Sequence, residues 1–294
     1  MRNYLNIILI IVINYSFASD QVPAPEQKHP ILLKNCTIHP VSGEDIRGGS
    51  ILFEKGIITG VASRIANLPE NTEIIDLKGK HVYPGLIAAS SVIGLTEIGA
   101  VAVTRDFSER GEVNPNVRAE VAYNPDSEII PVTRSNGITL VHSCPTGGII
   151  SGTSAIMMLD GWTWEKATLK APAGLHINWP NMGAVGRWGH RVSEEDAAKR
   201  REETLKKLDS AFDEARRYLV AKQADTGSGI IKHNKDLRWE AMVPVLKKEV
   251  PVFMHAGEIR QIISAVEWAN RQNVKIVIVG GYDAWRVADL LNKY

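Results

Sequence analysis

Two histidines of this chain stand at the end of an apolar segment that predicts a β-strand. His142 ends the run Ile138–His142, and His255 follows the run Pro251–Met254. A neutral imidazole is a good zinc ligand, and a strand end is a common place for one. Zinc normally needs three protein ligands, so neither histidine makes a site alone; His255 is the first candidate for a metal ligand and His142 the second. The alternative is that His255 is held by hydrogen bonds in a site that has lost its metal.

The remaining histidines and the cysteines give no further site from spacing alone. Cys36 and Cys144 are too few for a disulfide framework and predict two separate buried thiols in different domains. No catalytic residue and no site for an organic cofactor is assigned. The other histidines are scattered, none at metal-ligand spacing from another, and we assign them no role: His29, His39, His81, His176, His190 and His233.

Alternating strands and helices predict how the end of the chain positions His255. A strand over Pro251–Met254 precedes a helix over Glu258–Asn273, and a strand over Val274–Val279 precedes the last helix. This order predicts parallel strands joined by right-handed crossovers. Earlier in the chain, Ser193–Gln223 carries apolar residues at spacings of three and four opposite a charged face, which predicts a helix packed by one side.

The N-terminal part has a different pattern, with short strands and turns throughout. Pro30–Tyr83 predicts a small β-sandwich. Pro84-Gly85 then breaks the chain, and Leu86–Ile93 runs almost without charge, which predicts a strand buried on both faces. Gly94–Asp126 has no clear period and predicts a long loop with a short helix at most.

The segment KGKHVYPGLIAASSVIGL, Lys78–Leu95, resembles the amidohydrolase superfamily near its imidazolonepropionase-like members. In that family the segment reads P-G-L-I-D-A-H-x-H, leaves a small β-sandwich and enters a metal-dependent (β/α)₈ barrel whose two histidines hold the metal. Here Ala88 replaces the aspartate, and Ser90 and Val92 replace the histidines. Valine cannot bind a metal and neutral serine is a poor zinc ligand. The resemblance therefore implies a divergent member that lacks the His-x-His motif.

The segment VPVFMHA around His255 resembles the family's fifth barrel strand, whose histidine ligates the metal. Gly280 stands where relatives carry the next histidine, and the aspartate of strand eight has no counterpart. The resemblance implies zinc or another divalent metal and hydrolysis of a carbon–nitrogen (non-peptide) bond in a small molecule. The alternative is a catalytically inactive extracytoplasmic relative that binds a small molecule or an active partner subunit, which the missing His-x-His favours.

Together these features predict an α/β fold with a small N-terminal β-sandwich followed by a partial (β/α) TIM-like barrel. The stretch from Gly85 is shorter than the ~250 residues of a typical full barrel, so about six strand–helix units are expected and the chain looks C-terminally truncated. Open edges would favour a homo- or hetero-oligomer with a related amidohydrolase. The predicted division is 1–18 signal peptide, 19–29 flexible leader, 30–83 β-sandwich and 84–294 partial barrel.

Composition and the N-terminal segment predict the class of the protein, its partners and its location. The 294 residues are 44% hydrophobic and 23% charged, which is typical of globular proteins, and a net charge of +1 gives no reason to expect a nucleic-acid partner. Ile7–Ile13 is an apolar core too short to span a bilayer, followed by small residues at Ser16-Phe17-Ala18. This pattern predicts a cleavable signal peptide and a periplasmic or secreted protein without a membrane span. A retained anchor or a buried N-terminal strand is the alternative.

We expect signal peptidase to cleave after Ala18, because small residues stand at the positions that the enzyme reads. N-terminal sequencing of the protein recovered from the periplasm or medium should begin near Ser19. Recovery of soluble extracytoplasmic protein that still begins with Met1 would contradict the prediction.

Overall fold

The computed structural model describes residues 22–184, 192–224 and 234–294. The predicted signal peptide, His190 and His233 lie outside these residues. Short 3₁₀ turns occur at Ala102–Thr104, Ala119–Ala122 and Ala284–Val287. The strands are β1 (Ile31–Ile38), β2 (Ile46–Glu54), β3 (Ile57–Ala62), β4 (Glu73–Asp76), β5 (His81–Val82), β6 (Leu86–Ser91), β7 (Ile138–Ser143), β8 (Ile150–Met158), β9 (Thr168–Asn178), β10 (Val252–Ala256) and β11 (Ile276–Gly280). The helices are α1 (Ile129–Ser135), α2 (Trp164–Ala167), α3 (Glu194–Ala224), α4 (Leu237–Leu246), α5 (Ile259–Gln272) and α6 (Ala288–Lys293).

The chain divides into two compact units. The first contains the described residues up to Ile87 together with Asn136–Thr139, and the second contains the rest. In the first unit, β1 is antiparallel to β2 and parallel to both β4 and β5, within a five-stranded sheet. Cys36, Ile38 and Ile51 form its small buried core.

A six-stranded sheet in the order β6-β7-β8-β9-β10-β11 builds the partial barrel. The last two strands, β10 and β11, are parallel, as the strand–helix alternation predicted, and β9 is also parallel to β10. β8 runs antiparallel to both β7 and β9, so the middle of the sheet departs from simple strand–helix alternation. The α/β class, with an N-terminal sheet followed by a curled half-barrel sheet, is confirmed.

One face of this sheet packs against the helices. Leu175 and Ile177 of β9 and Met254 of β10 are fully buried there, and α3 and α5 cover them with Phe212 and Trp268. The predicted helix at Ser193–Gln223 is confirmed as α3. It begins after Ser193, whose hydroxyl accepts a hydrogen bond from the backbone N–H of Asp196 at 3.0 Å, as an N-cap does.

The prediction that Leu86–Ile93 is buried on both faces is wrong. Leu86 and Ile87 are 60% and 58% exposed. The reason is position, because β6 is the terminal strand in the order and pairs only with β7 among the described residues. An uncharged run therefore marked a sheet edge and not a strand enclosed by the core.

Both cysteines lie in buried positions. Cys36 and Cys144 are free and buried, one in each unit, as predicted. Among the helices of residues 22–184, 192–224 and 234–294, none is long and apolar enough to cross a membrane.

We expect Phe212→Ala to lower the free energy of unfolding by about 3–5 kcal/mol, because the ring is fully buried and stands edge-on to Trp268 at 4.9 Å. Val220→Ala on the same helix is the control, since Val220 is 66% exposed and its truncation should change stability by no more than about 0.5 kcal/mol. Urea denaturation followed by circular dichroism measures both. Equal effects of the two substitutions would contradict the assigned core.

Candidate metal centre

The alternation of side chains along β9 and β10 sorts residues onto two faces of the sheet. Leu175 and Ile177 of β9 point into the helix-packed core, so His176 lies on the opposite face. On β10, Phe253 and His255 likewise alternate with core residues. Phe253 pairs with His176 in the parallel register, and His255 pairs with Asn178. The register therefore brings His176 and His255 to neighbouring positions on one face.

His142 reaches the same face through β8. It lies opposite Ile156 of β8, and Ser154, two residues away on that face, lies opposite Gly174 of β9. Gly174 is required here, because a Cβ at this position would lie 2.1 Å from the Phe253 ring. The Phe253 ring packs at 4.8 Å from that of His142 and 5.0 Å from that of His176, measured between ring centroids.

Hydrogen bonds fix the tautomer of His142. Its Nδ1 lies 2.9 Å from the carbonyl oxygen of Ala89, which can only accept, so Nδ1 carries the proton. In the neutral ring Nε2 then presents a lone pair, which lies 2.7 Å from the hydroxyl of Ser154. His142 is thus held with its Nε2 lone pair directed at the hydroxyl of Ser154, and a metal that bound Nε2 would replace this hydrogen bond.

His176 contains the unusual polar atom of the site. Its Nδ1 lies 2.9 Å from Nε2 of His255, while its Nε2 is buried and has no hydrogen-bond partner among the described residues. A buried polar nitrogen without a partner costs free energy, so this atom calls for an explanation such as a bound ion. When His176 donates from Nδ1 to His255, the lone pair on Nε2 is free to bind one.

Cys144 completes the cluster. Its sulfur donates to the backbone oxygen of His142 at 3.2 Å and accepts hydrogen bonds from the hydroxyl of Ser90 and the backbone N–H of Ser91. Ligand atoms of His142, Cys144 and His176 all lie within 4.8 Å of one another, and the described part of the chain contains no other such group of three histidine, cysteine or acidic side chains. Ser90, which replaces the first histidine of the His-x-His motif, therefore contacts this cluster.

Burial sets the charge of these groups. It lowers the pKa of His142 and of His255, and it lowers that of His176 from an ordinary 6.5 to about 3, assisted by the charges that His255 and His142 would carry. Burial also raises the pKa of the Cys144 thiol, which the hydrogen bonds to its sulfur partly offset. The imidazoles are therefore neutral at pH 7, as metal ligands must be.

The donor set fits zinc. Two imidazole nitrogens and one thiolate sulfur are ligands that zinc accepts in proteins, and the unpartnered Nε2 of His176 would gain a bond. His255 would act through His176, because a metal-bound histidine usually gives its other nitrogen to a neighbour that orients the ring. The residues present therefore match a divalent ion with a preference for nitrogen and sulfur.

Comparisons with known proteins agree with this architecture. No family model matches the sequence. A curated amidohydrolase, tasK of Hapsidospora irregularis, is 23% identical over 309 aligned positions that cover 90% of this chain. The crystal structure of an amidohydrolase from Thermotoga maritima superposes with a TM-score of 0.75 and 26% identity over 89% of this chain. These matches confirm the predicted resemblance to the amidohydrolase superfamily. The chain spans 30% of the length of the first relative and 67% of the second.

In this amidohydrolase-like chain, the structure brings together both histidines that the sequence proposed as ligands, and it adds two residues. His142 and His255 lie on one sheet face, with His176 between their strands and Cys144 beside His142. Sequence reasoning assigned His176 no role and took Cys144 for a plain buried thiol. The alternation Gly174, His176 and Asn178 against Leu175 and Ile177 was the signal that marks His176 as facing away from the core.

We expect the metal-free protein to lose stability as the pH falls from about 6.5 toward 3, in part through His176. Its pKa is lowered in the folded state, so the unfolded chain binds more protons across this window. His176→Gln should flatten the pH dependence, since one such group contributes up to ~1.4 kcal/mol per pH unit. Urea denaturation in EDTA at several pH values measures the effect.

Leu175→Val serves as the control for that experiment. Leu175 is equally buried on the same strand but does not titrate, so its substitution should lower stability by the same amount at every pH. An unchanged pH dependence in His176→Gln would show that His176 is already protonated, or solvated, in the folded protein.

Proposed function

We propose that the chain is a metal-dependent hydrolase of amidohydrolase type that cleaves a carbon–nitrogen (non-peptide) bond of a small molecule. Zinc, or another divalent metal, would be held by Nε2 of His142, Nε2 of His176 and Sγ of Cys144. The observation that carries the proposal is the buried Nε2 of His176, which lacks a hydrogen-bond partner among the described residues, in a side chain that offers a ligand atom within 4.8 Å of those of His142 and Cys144. The matches to two amidohydrolases support the reaction class.

Each neighbour of the ligands has a definite role in this proposal. The carbonyl of Ala89 holds the proton of His142 on Nδ1 and so leaves the lone pair on Nε2, where a metal would replace the hydrogen bond from Ser154. Nε2 of His255 would accept the Nδ1 proton of His176 and so leave the lone pair of His176 on its Nε2. Ser90 and Ser91 donate to Cys144 and so partly offset the rise that burial causes in the pKa of its thiol. When bound, the ion supplies Lewis acidity toward a carbonyl and lowers the pKa of water to near neutrality.

This arrangement offers a reason for the missing His-x-His motif. Ser90 occupies the first of those positions but donates to the sulfur of Cys144, so it contributes to the cluster without touching a metal. The ligand contribution of the first strand would then be replaced by Cys144, which follows β7. A chain of this kind would keep metal chemistry on a different set of strands.

A second function is favoured by burial. His142, Cys144 and His176 are only 6%, 3% and 0% exposed, whereas a catalytic metal needs an open position for water and substrate. The same cluster would then serve a catalytically inactive relative that binds a small molecule or an active partner subunit. Its metal would stabilise the sheet and take no part in a reaction.

We expect one equivalent of zinc to bind at this centre, and His176→Gln to abolish that equivalent, because the substitution removes a ligand. His142→Ala and Cys144→Ser should do the same, whereas His255→Gln should weaken binding by only ~10–100-fold, as loss of an orienting partner does. Competition titration against a chromophoric zinc chelator measures all five proteins. Asn178→Ala, on the same face of β9, is the matched control and should bind zinc like the wild type.

Hydrolysis of a panel of cyclic ureas, amides and related compounds separates the two functions. The hydrolase requires activity that EDTA removes, that added zinc restores and that His176→Gln lacks. Zinc binding without hydrolysis, accompanied by a metal-dependent rise in melting temperature, would favour the inactive relative. A wild-type protein that binds no zinc would contradict both versions of the metal centre.

A further inference from the structure

A second cluster of histidines lies in the first unit and is separate from the proposed centre. Nε2 of His39 lies 2.7 Å from Nδ1 of His81, and Nδ1 of His39 lies 2.8 Å from Oδ1 of Asp45. The two imidazole rings are nearly coplanar, with an interplanar angle of 10°. Tyr83 stacks on the ring of His39 at 4.3 Å. The ends of three strands, β1, β2 and β5, therefore present a carboxylate and two imidazoles in one row.

The contacts assign a proton pattern to this row. The carboxylate of Asp45 accepts, so His39 donates from Nδ1 and presents a lone pair on Nε2. His81 must then donate its Nδ1 proton to that lone pair. A carboxylate that holds the far nitrogen of a histidine is the usual outer partner of a metal-ligating histidine, because it fixes the tautomer and raises the basicity of the ring.

The backbone holds both histidines in place. The end of β1 pairs with β5 in parallel register, Thr37 with His81 and Ile38 with Val82, so His39 comes directly after the paired residues. The N–H of His39 donates to the oxygen of Val82 at 3.0 Å, which locks the end of β1 to β5. Tyr83 covers one face of the His39 ring, and the His39 side chain is only 19% exposed. The ring of His39 is therefore held in position before any ion binds, while His81 lies at the surface.

We propose that His39 and His81 form a second metal site, which takes one divalent transition ion of the zinc, nickel or copper class between Nε2 of His39 and Nδ1 of His81. The ion would replace the proton that the two nitrogens now share, with Asp45 as the orienting partner of His39 and water completing the coordination. Imidazole ligands suit these ions. Zinc–nitrogen bonds of ~2.0–2.1 Å require the nitrogens to move slightly apart, and exposed His81 can rotate to do so.

This site can be tested independently of the proposed hydrolase activity, because the two metal sites share no residue. His39→Ala or His81→Ala should remove one zinc equivalent in isothermal titration calorimetry and leave the equivalent that His176→Gln removes. Asp45→Asn should keep the stoichiometry and weaken this site by ~10–100-fold, the effect expected of an outer partner. A structural role of Asp45 alone would leave the zinc affinity unchanged.

His29→Ala is the matched control, since His29 lies in the same unit beside a carboxylate, Glu73, at 3.1 Å, but has no second histidine in that contact. It should bind zinc like the wild type. Circular dichroism checks that each variant is folded, and His81→Ala keeps the test valid if His39→Ala is not, because His81 is exposed. The proposal is overturned if His81→Ala retains the wild-type stoichiometry, or if His29→Ala loses as much zinc as His81→Ala does.

Discussion

The contact between His176 and His255 is the interaction on which the candidate centre depends. These side chains meet at 2.9 Å on the face of the sheet that the helices do not cover. The contact occupies Nδ1 of His176, while its buried Nε2 has no hydrogen-bond partner among the described residues. Burial keeps the pair neutral, because a charged imidazole there would lose its hydration. Parallel pairing of β9 with β10 fixes the two side chains at this distance, so fold and chemistry are set by the same register.

Sequence reasoning succeeded where a pattern is local. The strand–helix alternation after Pro251 and the capped, striped segment after Ser193 each follow from spacing along a single element, and the structure confirms both. The strand status of His142 and His255 followed from adjacent apolar runs. What could not be predicted was the antiparallel course of β8, because its direction is set by pairing with β7 and β9 and not by its own residues.

Because pairing between distant strands cannot be read from a single segment, the sequence did not reveal the roles of His176 and Cys144. His176 lies 79 positions from His255 in sequence, and only the register of β9 against β10 makes them neighbours. Cys144 was correctly predicted to be buried, but burial alone does not distinguish an inert thiol from one that lies among histidines. The exposed state of Leu86 was missed for the same reason, since an apolar run reports hydrophobicity and not its place in a strand order.

The side chains of the cluster follow one another along β9 and β10. His176 is fully buried, and Phe253 packs against both its ring and that of His142. His255 and Asn178, one step further along their strands, are partly exposed. These two residues lie toward the carboxyl ends of the strands, the end at which (β/α) barrels bind their ligands. In the proposed hydrolase, His255 would therefore both orient His176 and lie on the ligand side of the metal.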